Sequence, residues 1–489
     1  MNGTSQMDGT SYVSQCAVPP GSSFVYNFKA DQAGTYWYHS HEKSQYPDGL
    51  RGMMVISDPE DPYKAQYDQE IVISISDWYH GQMPDLLLKF DQPDNRMRDI
   101  TPDSNLINDT VGAKFEVVPE RTYLVRLANI GGFVGQYFWI QNHAMTLLAE
   151  DEAKEDATAN FPIVSRMDTG SFSSHVPWPK NLDAVAWLTY DTEADFPDPD
   201  VLEDKESAYA LDDMALEPLD KQPLLEPVDR TLAIDIDMKT QEDGIIHWLF
   251  NTISYRTPTL PSLFAALATG PEATDPKSFE RSTQTFVMEH GQIIEVTMNN
   301  KHMWKHPLHL HGHNFQVTKR TKGLVETTPE GRAPMRRDTI NVNGHGWVAF
   351  RFRADNPGVW LLHCHMEWHA HSGLKATFVE APLQLQQRLR LSNVSATLDP
   401  SKACDPGRVQ VISSIEESVG VFDGTDGLTR HAYLHPTPLL IAVIALICSL
   451  GLICAYLWRR SAGTQEGIYS RVPMVDIEEN DKPNAAEPP

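Results

Sequence analysis

The stretch His363-Cys364-His365-Met366-Glu367-Trp368-His369-Ala370-His371-Ser372-Gly373-Leu374 decides how the rest of the chain is read. A cysteine stands between two histidines, and another histidine follows it five residues on. Soft sulfur with imidazole nitrogen suits copper, and two histidines with one cysteine and a weak or absent axial ligand is the blue-copper arrangement. Leu374 falls where that axial residue would come; it cannot coordinate, which favours a high reduction potential. The preceding run Gly358-Val359-Trp360-Leu361-Leu362 predicts a strand. The ligands are therefore expected at a strand end and in the loop that follows.

Such a site needs a second histidine from elsewhere. His306-Pro307-Leu308-His309-Leu310-His311-Gly312-His313 lies upstream, and Trp37-Tyr38-His39-Ser40-His41 lies near the N-terminus. On a strand, residues i and i+2 share a face, so each His-x-His pair can aim two imidazoles at one centre. The alternative is a set of structural or zinc-binding histidines, but zinc sites use fewer histidines at other spacings.

Length and composition bound the rest. A chain of 489 residues suggests about three domains. The net charge of −26 speaks against nucleic-acid binding and for a secreted or surface protein. Of five cysteines, Cys448 and Cys454 lie in an apolar run and Cys364 belongs to the copper motif. That leaves Cys16 and Cys404, as a bridge formed in an oxidising compartment or as two free thiols. Strands are predicted at Phe24-Val25-Tyr26-Asn27-Phe28, Thr35 to Tyr38, Met53 to Ile56, Glu70 to Tyr79, Thr122 to Ala128, Thr285 to Met288 and Ile293 to Met298. Residues 192–228 are rich in Asp, Glu and Pro and read as a solvated linker. Leu439 to Trp458 is apolar and long enough to cross a bilayer as a helix. Arg459 and Arg460 follow at once, so the tail is expected on the cytoplasmic side. No signal peptide is visible at the N-terminus, so that end is expected to be incomplete. Asn2, Asn108 and Asn393 lie in glycosylation sequons that matter only in an exported protein.

The three histidine clusters, Gly34 to His41, Gly131 to Ile140, and Asp355-Asn356-Pro357-Gly358-Val359-Trp360 running into the cysteine motif together resemble the multicopper oxidases. Within that family they resemble the fungal membrane-anchored ferroxidase and laccase-like branch. The resemblance implies an all-β protein of three cupredoxin-like Greek-key sandwich domains plus one C-terminal transmembrane helix. The first domain would be the C-terminal half only, at 1–57. A shortened second domain would occupy 58–191, with Ala149 to Asp156 replacing a hairpin, and a third would follow the linker at 229–399. A stalk at 400–438, the membrane helix at 439–458 and a cytoplasmic tail at 459–489 would complete the chain. The resemblance also favours a Cys16–Cys404 bridge.

By the same resemblance, His306, Cys364 and His369 would hold the type 1 copper, His309 the type 2 copper, and His39, His41, His311, His363 and His365 the type 3 pair. The family's cluster uses eight imidazoles, of which six are present; the first His-x-His-Gly motif would precede Asn2. Cys364, flanked by His363 and His365, would connect the electron-accepting copper to the cluster that reduces O2 to water. Glu367 and Asp8 match carboxylates that relay protons. His313 and His371 read as structural.

Two substrates compete. Ferroxidases of this branch place carboxylates beside the type 1 site, but here His302 stands where they carry Asp and His247 where they carry Tyr, while Asp99 can stand in for a Glu. Those losses favour a laccase-like oxidation of phenolic or aromatic polyketide substrates in pigment formation, with His302 or His247 taking the phenolic proton. The alternatives are a cell-surface ferroxidase turning Fe(II) to Fe(III) beside an iron permease, and an inactive copper-binding relative.

Overall fold

Strand Ile293–Asn300 shows how side-chain alternation writes these sheets: Ile294, Val296, Met298 and Asn300 point inward, while Glu295, Thr297 and Asn299 point outward. The computed structural model describes residues 2–389, Cys404 and the pairs 410–411 and 420–421. Within that range, residues 94, 96–98, 144, 146–158, 173–178, 180, 200–212, 323–324 and 328–330 lie outside the described residues. Met1–Leu428 forms one unit.

Two sheets make up the C-terminal part of that unit. The first runs in the order Ile246–Phe250, Arg230–Thr240, Ile293–Asn300, Trp347–Arg353, Phe315–Lys322, Val325–Thr327, with Arg336–Arg337 also on Phe315–Lys322. The second runs Phe286–Met288, Lys375–Glu380, Gly358–Cys364, His306–Leu310, Thr339–Val342. Ile234, Val296 and Phe350 of the first pack with Leu308, Trp360, Leu362 and Phe378 of the second.

Strand Gly358–Cys364 is buried at every position. One face, with Trp360, Leu362 and Cys364, meets the sandwich core. The other, with Val359 and Leu361, is covered by helices Ser262–Ala268 and Pro382–Arg388 and by Val13 and Cys16. Cover on both sides explains an unbroken apolar run where a half-exposed strand would alternate. It also sends Cys364 and His363 to opposite faces. Register places Leu308 opposite Cys364 and His309 opposite His363. The segment after Cys364 is not the expected loop: Glu367–His371 is a short helix.

The middle part has a three-stranded sheet, Ser104–Ile107, Gln69–Trp78, Tyr123–Asn129, and a four-stranded one, Lys114–Glu116, Asp183–Thr189, Phe161–Met167, Gln136–Ile140. Ile73, Ile75, Ile107, Ile163 and Ala186 form the layer between them. The N-terminal part has one antiparallel pair, Gly34–His39 with Arg51–Ile56, Trp37 facing Met53. The strand predicted at Phe24–Phe28 does not form. No described strand pairs with it; the Phe24 and Tyr26 rings lie 4.6 Å apart against each other, and Val25 is 78% exposed.

The linker reading of 192–228 also needs correction. Its last part is strapped to the C-terminal sheets: Asp213 pairs with Arg320 and Arg337, Asp220 with Arg336, and the Leu225 N–H donates to Gln316. Acidic composition here serves arginines on neighbouring strands rather than solvent alone. Cys16 and Cys404 are joined, with sulfurs 2.00 Å apart across 388 residues of sequence. The run at 149–156, most of the 400–438 stalk, the 439–458 segment and the 459–489 tail lie outside the described residues. Among the described residues, no helix is long and apolar enough to cross a membrane.

Candidate metal centres

Two groups of donor side chains assemble on the two faces of strand Gly358–Cys364. In the first, His306 begins strand His306–Leu310, Cys364 ends the adjacent strand, and His369 lies in the short helix after it. The Nδ1 atoms of His306 and His369 are 3.1 Å apart, and Cys364 Sγ lies 3.7 Å from that of His306 and 3.6 Å from that of His369. All three residues are buried. Leu374, also buried, binds the frame together: its N–H donates to the His369 carbonyl and its carbonyl accepts from the Cys364 N–H.

These residues fit copper on their own chemistry. Burial and the neighbouring His369 hold the His306 imidazole far below its ordinary pKa, so it is neutral and offers a lone pair. Burial pushes the Cys364 thiol up. A thiolate at this depth would need a bound cation to sustain it, which His306, Cys364 and His369 together could hold. One sulfur with two imidazoles selects a soft-to-borderline metal of the copper kind.

The second group lies where the N-terminal part meets the five-stranded sheet. His41, His311 and His363 present donor atoms all within 4.8 Å of one another. His39, His309 and His365 surround them: the His39 ring lies 4.6 Å from that of His41, and the His365 ring 5.1 Å from His39 and 5.8 Å from His309. Four of the six are anchored through Nδ1, His39 by the Ser40 carbonyl, His309 by the Asp338 carbonyl, His311 by the Asp8 carboxylate and His363 by the Cys364 carbonyl. Oxygen acceptors there place the proton on Nδ1 and free the Nε2 lone pair. Accordingly the Nε2 atoms of His311 and His363 face each other at 3.3 Å. Burial takes His39 down to about 3 and drives His41, His363 and His365 well below their usual range. Six imidazoles crowded together, most of them held neutral by burial, make a site for cations. Gly312 turns the chain directly after His311, at a φ of +78° and against Trp360, where a Cβ would sit 2.5 Å from the indole.

Two carboxylates serve this group. Asp8 Oδ2 accepts from Thr10 and lies 2.9 Å from His311 Nδ1. Burial alone would raise its pKa, but the His311 imidazole and the Thr10 hydroxyl outweigh that and hold it down. Glu367 accepts a hydrogen bond from Ser44. Burial raises its carboxyl, partly offset by Lys375, whose own pKa burial lowers.

The remaining predicted residues scatter. Asp99, buried, sets Oδ2 3.3 Å from His369 Nε2. His302 turns to Asp237 at 3.3 Å and packs edge-on to Trp248. His247 does not join the first group: it lies on the opposite strand face from Trp248 and binds Asp243 at 2.8 Å. His313 and His371 pair with Glu380 and Asp91. Sequence reasoning missed Trp248, whose indole lies 4.7 Å from the His306 ring and 4.5 Å from the His369 ring. It arrives from the other sheet, on a strand whose last three residues, Trp248, Leu249 and Phe250, are all buried, and its sequence carries no alternation to mark which way it points.

Models described as multicopper oxidase match residues 1–61, 69–166 and 255–384. The chain is 41% identical over 442 residues to the iron transport multicopper oxidase fetC of Epichloe festucae, an alignment covering 83% of this chain and 70% of that protein. The chain belongs to the multicopper oxidase family. Like the family, this multicopper oxidase is a copper-dependent oxidoreductase using type 1, type 2 and type 3 copper. It is also 35% identical over 424 residues to the iron transport multicopper oxidase FET3 of Saccharomyces cerevisiae, covering 79% of this chain and 66% of that one. The structure of Fet3p, a multicopper oxidase that functions in iron import, matches with a TM-score of 0.74 at 34% identity, over 82% of each chain. A laccase from Botrytis aclada matches at a TM-score of 0.69 and 23% identity, over 85% of this chain and 82% of that one; this likeness shows the fold alone. These kinships overturn the laccase-like reading of phenol and polyketide oxidation in pigment formation. Neither His302 nor His247 is a carboxylate, but Asp99 keeps one beside His369.

Proposed function

We propose that this multicopper oxidase is a ferroxidase, oxidising Fe(II) to Fe(III) with O2 as the final acceptor. Kinship to iron transport oxidases supports the reading. The observation that carries it is Asp99: a carboxylate set directly against the outer nitrogen of His369, whose inner nitrogen faces Cys364. A hard carboxylate oxygen suits Fe(II), and an ion held there stands one imidazole away from the sulfur group.

On this reading His306, Cys364 and His369 hold the type 1 copper, His309 the type 2, and His39, His41, His311, His363 and His365 the type 3 pair. Bound copper supplies one-electron acceptance at the first group and four-electron reduction of O2 to water at the second. The chain's own part is to orient and to move protons. Asp99 draws Fe(II) in and fixes the His369 ring. Trp248 and Leu374 keep water from the sulfur. Cys364 and His363, neighbours on opposite faces, span the two groups by one peptide unit. Glu367, its carboxyl pKa raised by burial and its oxygen accepting from Ser44, is placed to pass protons toward the second group. Asp8, held ionised, fixes the His311 ring. We also propose that residues 439–458 anchor the protein in the cell membrane with the copper domains outside, where a permease can take Fe(III).

The test is O2 uptake by the copper-loaded protein with Fe(II) and a dihydroxynaphthalene supplied separately. Faster uptake with Fe(II), at four Fe(II) per O2, is expected. Faster uptake with the naphthol overturns the proposal.

A further inference from the structure

Asp99 is one way to the sulfur group; the side chains around Trp248 make another. The Trp248 indole is 1% exposed. Trp248 belongs to strand Ile246–Phe250 at the edge of the seven-stranded sheet, and its backbone N–H donates to the Ser372 carbonyl in the turn after His369. One ring thus touches both imidazoles of the group, at 4.7 and 4.5 Å, from the far side of the sandwich. The same indole meets His302 at 5.0 Å and Trp304 at 6.4 Å. His302 and Trp304 stack nearly parallel, 7° apart. Both are partly exposed, and His302 is fixed by Asp237, a carboxylate open to solvent. A continuous aromatic path therefore leads from the surface to the copper ligands without passing through Asp99.

The Asp99 and His302 routes differ in chemistry. At Asp99 an ion must give up part of its own shell to bind a buried carboxylate oxygen. At His302 no ligand exchange is needed. The path ends in ring faces beside Asp237 and Asp235, which outnumber the single Lys301 ammonium between them and attract a positive charge. Aromatic edges and faces in contact give a route for electron transfer from a donor that stays outside.

We propose that Trp248, with His302 and Trp304, forms a second electron route that serves cationic one-electron donors which keep their ligand shells, such as chelated Fe(II). The donor loses one electron and the type 1 copper gains it; no bond forms or breaks and no proton moves. Trp248 is a positioning residue here, in contact with the copper ligands and not with the donor. The proposal rests on the ferroxidase reading only for the identity of the natural donor.

Anaerobic stopped-flow reduction of the sulfur–copper absorption separates the routes, with hexaammineruthenium(II) as the inert donor and aqueous Fe(II) as the other. Midpoint potentials of each variant, measured by redox titration, correct for driving force. Trp248→Leu is expected to slow ruthenium reduction about tenfold, roughly 1.4 kcal/mol of barrier, while changing Fe(II) reduction much less. Trp248→Phe, which keeps the ring contact, recovers most of the rate. His302→Ala slows the ruthenium reaction in the same sense. Equal slowing of both donors, or an unchanged ruthenium rate in Trp248→Leu and His302→Ala, overturns the second route. Where Trp248→Leu fails to bind copper, the His302→Ala and Trp248→Phe rates decide. Failure of Fe(II) to reduce the native protein removes the ferroxidase reading and leaves the ruthenium comparison intact.

Discussion

The two donor groups are built on opposite principles. His306, Cys364 and His369 come from two adjacent strands of one sheet and the short helix that follows, so all three belong to one sandwich. The six imidazoles of the other group come from two parts of the molecule: His39 and His41 on or just beyond an isolated strand pair, and His309, His311, His363 and His365 on or next to the five-stranded sheet. The first group is as rigid as its sheet. The second depends on a seam, held by Asp8 to His311, by Ser44 to Glu367, by the Tyr46 hydroxyl donating to the His365 carbonyl and by the Cys16–Cys404 bridge. Electron acceptance thus sits on the robust part and oxygen chemistry on the joint.

Substitutions on one side only should break this pairing cleanly. Cys364→Ser removes the soft donor. The visible sulfur–copper absorption should vanish and Fe(II) oxidation fall by about a thousandfold or more, some 4 kcal/mol of barrier. Copper at the histidine group, counted by metal analysis and electron paramagnetic resonance, should remain. Loss of that copper too would mean the groups are not independent. Next in size is Asp77→Ala. Asp77 lies near the end of strand Gln69–Trp78 and accepts from the Gly132, Phe133 and Val134 N–H groups, each at 2.8 Å. The Gly132 carbonyl in turn takes the Glu367 N–H, so this loop seats the helix that carries His369. Leaving three buried N–H groups unpaired should cost about 3 kcal/mol, read as a lower denaturant midpoint of the copper-free protein.

What the sequence could show follows the same division. Histidines at i and i+2 declare a shared strand face, and the Cys364 run declares its own chemistry, so the donor residues could be named from spacing and from the family resemblance those motifs carry. The strands of the sandwiches were legible for a related reason: Ile293–Asn300 alternates, and Gly358–Cys364 is apolar through most of its length because both its faces are covered. Phe24–Phe28 alternates as well but finds no strand to pair with, and pairing is not a local property. The residues that tune the donors were harder. Trp248 reaches them from another sheet, Asp99 from the middle part, and Asp213 binds arginines more than 100 positions away. A single sequence records each of these only as an ordinary tryptophan or aspartate.

Smaller effects address the seam itself. Asp8→Asn keeps the shape but weakens the acceptor at His311 Nδ1. Such a partner is worth about 10–100-fold in metal affinity, so copper in the histidine group should be lost to a competing chelator at correspondingly lower concentration while the sulfur–copper absorption stays. An absorption that faded in step would tie the two groups together.

The smallest effect comes from acid. Arg126 donates to Glu70 at 2.6 Å and to Thr35 at 3.2 Å, joining the middle part to strand Gly34–His39, and the Tyr67 hydroxyl links Glu70 to Asp61. The Arg126 hydrogen bond lowers the Glu70 pKa, and the Tyr67 hydroxyl lowers that of Asp61. Carboxyls depressed in the folded state bind fewer protons there than in the unfolded chain. Their contribution is full above the ordinary carboxylate range and disappears as pH falls through the folded values, between about pH 5 and below pH 3. Solvent screening keeps it small. Arg126→Met should flatten part of the acid-side fall in the unfolding midpoint of the copper-free protein, and at neutral pH it should loosen His39 before it touches His306. Hydrogen exchange at the amides of Gly34–His39, compared with those of Gly358–Cys364, reads that order; equal loosening of both strands would show that the seam is no weaker than the sheet.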